Sequence, residues 1–212
     1  MESDSVNKGI LGLVLAGGQG RRMGGRDKAQ LVIGGETLVK RAVRRLGPGV
    51  DRLLISGETD YGLGCGHLPD RTDGARGPVA ALHAVQRWGA AHPEAGIAAV
   101  LTVPVDVPFF PDDLVARLAA TGSAAMAATA KRVHPTLAFW PLDTLAAAAP
   151  LLATAGGLPM QRLAEAVGAT VVPFDDEDAF LNINRPQDLA RAEALLAAAS
   201  RRRKPGLSDR GA

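Results

Sequence analysis

At 212 residues, with 47% hydrophobic and 22% charged side chains, the chain has the size and composition of one globular domain with a full core. The net charge of +2 comes from its end: RRRKPGLSDRGA (201–212) holds five of the 24 Lys and Arg and one of the 22 acids. The remainder carries 19 basic against 21 acidic residues, which excludes a general nucleic-acid-binding surface. A single cysteine, Cys65, excludes an internal disulfide and a paired-cysteine metal cluster, and an idle thiol is expected there. No stretch approaches the roughly 18 clean apolar residues of a membrane span, and MESDSVNKG lacks a signal core. A reducing, cytoplasmic location without membrane attachment is expected.

In chain order, GILGLVLA (9–16) reads as a buried strand, TLVKRAVRRL (37–46) as a helix and DRLLIS (51–56) as a second strand. GPVAALHAVQRW (77–88) reads as a helix with Pro78 at its first position, IAAVLTVPVD (97–106) as a third strand, and PDDLVARLAA (111–120) as a helix. The acids Asp112 and Asp113 suit the positive start of that helix. SAAMAATA (123–130) and PTLAFW (135–140) look like paired strands. Helices at 142–152 and 159–167, the strand ATVVPF (169–174) and a helix from Pro186 to Ala199 complete the chain. Residues 57–76, with five glycines, read as one long irregular loop at the site. Strands alternating with helices, several of them continuously apolar, point to an α/β fold of the Rossmann-like, doubly wound type. Its sheet is expected to be mostly parallel, with a mixed C-terminal part.

The most informative stretch is LVLAGGQGRRMGGRDK (13–28), with five glycines beside Arg21, Arg22, Arg26 and Lys28. It is not a Walker loop: Gly20 and Gly25 have the spacing, but Arg26 and Asp27 follow instead of Lys-Ser/Thr. It is not a dinucleotide fingerprint either, because Met23 stands where the third glycine belongs. What remains is a strand ending at Ala16 and opening into a cationic loop. Gly17 and Gly18 allow backbone N–H groups close to a base and phosphates, and Arg22 and Lys28, with Arg21 a weaker candidate, would meet a triphosphate. A loop of solvated surface charges is the bland alternative.

LAGGQGRRMGGRDK resembles the signature of nucleotidyltransferases that join a nucleoside monophosphate to a phosphorylated acceptor. Within that group it is most similar to the molybdenum cofactor guanylyltransferases, through Arg-Met-Gly-Gly-x-Asp-Lys and through Leu15-Ala16-Gly17-Gly18, where the cytidylyl-transferring cousin usually has Leu-Ala-Ala-Gly. PVDVPFFPDDL (104–114) resembles the family's metal-site segment, with Asp106 in the matching place. LPDRTDGARGPVAAL (68–82) resembles its second nucleotide loop, with Asp70 seven residues before Gly77. HPT (134–136) and FLNINRPQDLARAEALL (180–196) resemble its acceptor side.

The resemblance implies transfer of GMP from GTP to the terminal phosphate of molybdopterin, with or without molybdenum, giving the guanine dinucleotide cofactor and pyrophosphate. It implies Mg²⁺ as cofactor. A lone carboxylate such as Asp106, with phosphate oxygens and waters, can complete its octahedron; a turn or N-cap role is the alternative. GTP binding is assigned to Leu15, Ala16, Gly17, Gly18, Arg22, Lys28, Ser56, Asp70 and Asp106, with Arg22, Lys28 and Asp106 catalytic. Ser56 stands where some members have asparagine, and Asp70 could hydrogen-bond a sugar hydroxyl or base edge, with a turn residue the alternative. Acceptor binding falls to His134, Asn182 and Asn184, against a core or turn role for His134 and a helix cap for Asn184. Asn182 and Asn184 share strand parity, so their amides should face one side. The implied organisation is a disordered tail 1–8, a domain 9–200 with a GTP-binding first half and an acceptor-binding second half, and a disordered basic tail 201–212. Partners would be GTP, molybdopterin and chaperones or cofactor-insertion proteins of molybdoenzymes. Two rival readings stay open. One is a cytidylyl- or sugar-phosphate nucleotidyltransferase of the same fold. The other is a non-catalytic carrier of GTP or pterin.

Overall fold

The computed structural model describes residues 9–17, 27–57, 59–69, 77–154 and 157–202. The expected tail 1–8, most of the expected tail 201–212 and the core of the glycine-rich loop lie outside these residues.

Its strands are β1 (Gly9–Leu15), β2 (Val32–Ile33), β3 (Glu36–Thr37), β4 (Arg52–Ser56), β5 (Gly66–Leu68), β6 (Ile97–Pro104), β7 (Ala125–Ala128), β8 (Val133–Pro141) and β9 (Thr170–Pro173). The helices are α1 (Leu38–Leu46), α2 (Pro78–Ala91), α3 (Leu114–Ala119), α4 (Leu142–Ala147), α5 (Ala149–Leu152), α6 (Met160–Ala166) and α7 (Pro186–Arg202). Seven strands form one sheet in the order β5-β4-β1-β6-β8-β7-β9. Only β8 runs against the others, antiparallel to both β6 and β7. The mostly parallel sheet with a mixed C-terminal part is therefore present.

Alternation along β1 divides the core. Leu11, Leu13 and Leu15 face α2, α4, α5 and α6, where Val79, Leu82, Leu145, Leu152 and Leu163 are buried. Val14 and Ala16 face α1 and α3, against Val39, Ala42, Leu114 and Leu118. Gly12 lies on the α1 face. A Cβ there would come within 2.8 Å of Leu46 and 3.0 Å of Val50, so the bare backbone sets how closely α1 approaches the sheet. Two buried polar side chains at the centre pair with each other: Trp140 Nε1 donates to Thr102 Oγ1 (3.2 Å), which donates to the Ala138 carbonyl (3.2 Å).

Several expectations need correction. The supposed loop 57–76 contains β5, a three-residue edge strand parallel to β4. The helix expected over 142–152 is two helices, α4 and α5, broken around Ala148 just before Pro150, whose ring supplies no N–H. The last helix does not stop at Ala199 but runs to Arg202, taking in the first arginines of the basic end. Asp113 does stand at the N-cap position of α3, though without a side-chain cap bond, and Asp112 just before it also pairs with Arg45 at 2.7 Å. The hairpin β2–β3 is an addition to the elements expected from the sequence. Gly34 and Gly35, with φ of +56° and +78°, form its two-residue turn, and Thr37 then caps α1.

Candidate active site

Four candidates meet where β1 and β6 end. To one side of β1 lies β4 and to the other β6, so the chain's crossovers diverge there and leave a crevice beyond the strand ends. At the floor, the Val105 N–H donates to the Leu15 carbonyl (3.2 Å) and the Ala16 N–H to the Ser56 carbonyl (3.0 Å). Leu15 and Ala16 are buried by these neighbours, and Gly17 emerges exposed. Ser56 is 1% exposed, and its hydroxyl has no hydrogen-bond partner among the described residues.

Asp106 lies two residues past the end of β6, and its backbone carbonyl accepts the Ile183 N–H at 2.8 Å, tying the C-terminal segment to the strand end. Lys28 opens a short 3-10 turn capped by Asp27, whose carboxylate accepts the Ala29 N–H (2.9 Å) and the Tyr61 hydroxyl (2.9 Å). That turn aims the ammonium of Lys28 at Asp106, Nζ to Oδ2 3.0 Å, with the side chains 19% and 18% exposed. Lys28 also donates to Asn184 Oδ1, and Asn184 Nδ2 donates to Asn182 Oδ1 at 2.7 Å. Residues 78 and 156 positions away in sequence from Lys28 thus share its ammonium.

Asn182 and Asn184 do face each other, but in an irregular segment and not in a strand. Asn184 does not cap α7 with its amide. The cap is Asp188, whose Oδ2 accepts the backbone N–H groups of Asn184 (2.9 Å) and Arg185 (2.8 Å). An acid three residues into a helix that bonds back to the first N–H is a capping-box partner, a signal present in NRPQD. Freed from capping, the Asn184 amide is available to Lys28.

His134 lies on β8 beside the same space. Its ring is buried, packs on Phe180 with centroids 4.5 Å apart, and sits 3.4 Å from Thr129 Oγ1. Burial, and next the charge of Arg132, lower its pKa to about 4 against a smaller opposing effect of Glu177. His134, Asn182 and Asn184 line one cavity of about 530 Å³, with Lys131, Arg132 and Arg185 among its other walls. Sequence reasoning assigns no role to Lys131 and the two arginines; a cationic turn between two strands is the signal that could have found the first two. Gly18, Arg21, Arg22 and Asp70 lie outside the described residues, so their expected contacts with nucleotide stay as expectations.

No group of three or more His, Cys, Asp or Glu among the described residues could hold a metal by itself. Asp106 offers one hard carboxylate of the kind Mg²⁺ takes, which the Lys28 ammonium occupies here, so a metal there would need its remaining ligands from phosphates and water. Cys65 is half-buried, and desolvation raises its thiol pKa, which lowers its reactivity. No described helix is long and apolar enough to cross a membrane.

A family model described as MobA-like NTP transferase domain matches residues 12–171. A curated relative from Cereibacter sphaeroides, named molybdenum cofactor guanylyltransferase, is 47% identical over 193 residues, covering 88% of this chain and 97% of its own length. A second relative of that name, from Rhodobacter capsulatus, is 43% identical over 193 residues, covering 88% of this chain and 96% of its own. Among solved structures, molybdopterin-guanine dinucleotide biosynthesis protein A from Archaeoglobus fulgidus superposes with a TM-score of 0.65 at 21% identity, covering 89% of this chain and 99% of that one. At that identity the superposition speaks for the fold.

Proposed function

The chain belongs to the MobA-like nucleotidyltransferase family, and from that premise we propose that it transfers GMP from Mg²⁺-bound GTP to the terminal phosphate of molybdopterin. An oxygen of the acceptor phosphate attacks the α-phosphorus of GTP, a new P–O–P bond forms, and the bond to the β-phosphate breaks to release pyrophosphate. The protein needs no covalent intermediate; it aligns two phosphates and offsets their charge.

The observation that carries this reading is the network Asp106–Lys28–Asn184–Asn182 at the crevice, opening on the cavity that His134 lines. The N-terminal half supplies Lys28 and the strand ends Leu15–Gly17, and the C-terminal half supplies the two amides. Donor and acceptor would therefore meet at one ammonium. Asp106 would hold Mg²⁺, which supplies charge neutralisation to the phosphates when bound. Lys28 would then turn from Asp106 toward the triphosphate, while Asn184, bonded to the ammonium and held by Asn182, would keep it beside the acceptor phosphate. The neutral ring of His134 offers a hydrogen bond to the acceptor without adding charge. Gly17, with Gly18, would let guanine lie against the main chain.

Pyrophosphate release is the test. With GTP, Mg²⁺ and molybdopterin together, release is expected, and omission of any one should abolish it. GTP binding without release would favour the carrier reading. Asp106 and Lys28 argue against that alternative, since a carrier needs no clamp on a transition state.

A further inference from the structure

The walls of the acceptor cavity do not balance their own charge. Of its four cationic residues, Lys131 faces Glu177 at 3.9 Å and Arg191 pairs with Asp178. Asp188, the other lining acid, commits an oxygen to the N–H groups that start α7. The guanidinium groups of Arg132 and Arg185 are left with no hydrogen-bond or ion-pair partner among the described residues.

Both rise from fixed backbone. Arg132 closes the turn between β7 and β8, where its carbonyl accepts the Thr129 N–H at 2.9 Å. Glu177 anchors that turn by accepting the Lys131 N–H at 3.1 Å. Arg185 is the residue before α7, held by its N–H to Asp188 at 2.8 Å. A lone surface arginine is ordinarily solvated, but two on pinned backbone around one cavity lose less freedom on binding an anion. Their planar forks suit bidentate contact with oxyanions. The cavity's buried histidine stays uncharged, so the arginines supply its unneutralised positive charge.

We propose that Arg132 and Arg185 bind an anionic group of the acceptor and so set acceptor affinity in the transfer reaction. This rests on the function proposed above. Molybdopterin has two anionic ends, the terminal phosphate and the dithiolene sulfurs, and either could engage the arginines.

The test uses Arg132→Gln, Arg185→Gln and the double variant, with GTP, Mg²⁺ and either molybdopterin or molybdopterin whose sulfurs carry neutral alkyl caps. Each single variant should raise the KM for molybdopterin about tenfold, as expected when one charge-assisted hydrogen bond to the acceptor is removed. The KM for GTP and the melting temperature should stay unchanged, which a merely structural role would not allow. Arg132→Lys should recover part of the loss. If capping the sulfurs abolishes the difference between wild type and variants, the arginines hold the sulfur end; if the difference persists, they hold the phosphate. A double variant with molybdopterin KM within twofold of wild type overturns the inference and leaves the proposed function standing. A wild-type chain that releases no pyrophosphate from GTP with molybdopterin overturns both.

Discussion

Asp106→Asn separates stability from turnover, because the substitution keeps shape and removes only charge. In the wild type the carboxylate lies 3.0 Å from Lys28 Nζ with both side chains mostly buried. At an effective dielectric near 20, the gross attraction at that distance is about 5–6 kcal/mol. Desolvation of both groups offsets most of it, leaving about 1.5–3 kcal/mol net for a hydrogen bond between charged partners. The asparagine retains an oxygen for the ammonium, and Lys28 retains Asn184. The variant should therefore lose only about 1 kcal/mol, or roughly 2–4 °C in melting temperature for a chain of this size. Turnover should suffer far more, because a neutral amide is a poor magnesium ligand. A loss of about 4 kcal/mol of transition-state stabilisation corresponds to roughly a thousandfold in rate. Melting curves and pyrophosphate release at saturating Mg²⁺, on the same preparation, measure both. Turnover within fivefold of wild type would refute the metal role of Asp106. A melting loss above 10 °C would show that the ion pair holds the fold instead.

Lys28→Ala should weaken GTP binding about tenfold or more while GMP affinity changes little, since the ammonium is taken to meet the β- or γ-phosphate; isothermal titration of both nucleotides checks this. His134 has a folded pKa near 4, below its unfolded value of about 6.5, so the unfolded chain binds the extra proton between these values. Its contribution is present above pH 6.5 and is lost as pH falls toward 4, by about 3 kcal/mol at most. Melting of wild type and His134→Gln from pH 7.5 to 4 should show the wild type declining more steeply. Gly12→Ala should cost about 1–3 kcal/mol, because its Cβ meets Leu46 at 2.8 Å; denaturant unfolding reads the loss, and KM for GTP should hold.

Long elements are legible in the sequence because each states its pattern several times. β1, β6 and α2 are continuous apolar runs or amphipathic stretches, and their order alone leads to a parallel sheet with covered faces. Short elements are not. β2 and β3 have two residues each, and only Gly34-Gly35 signals their turn. β5 begins with a glycine inside a glycine-rich stretch, so its three residues are specified by pairing with Leu54–Ser56 and not by local propensity. The site divides in the same way. Asp106 is placed by its strand, and Lys28 by its motif. Their meeting with Asn184 joins segments far apart in sequence, which no local pattern encodes. Parity puts Asn182 and Asn184 on one side, yet the segment is irregular and the amides meet through a direct hydrogen bond. The cationic turn that holds Arg132 is only a weak signal in the sequence, because a turn between strands commonly holds solvated charge, and the cavity it shares with His134 and Asn184 becomes visible only in the fold.

The most direct test of the central claim is a competition in which GTP, CTP and ATP at equal concentration meet the wild-type chain, Mg²⁺ and molybdopterin, with the dinucleotide products separated by chromatography. In the proposed function the main chain at Gly17, which is exposed, would match the donors and acceptors of guanine, and a site satisfied by that base would leave polar atoms unpaired against the others. The guanine dinucleotide should be in excess by about a hundredfold or more. A predominant cytosine dinucleotide would contradict it.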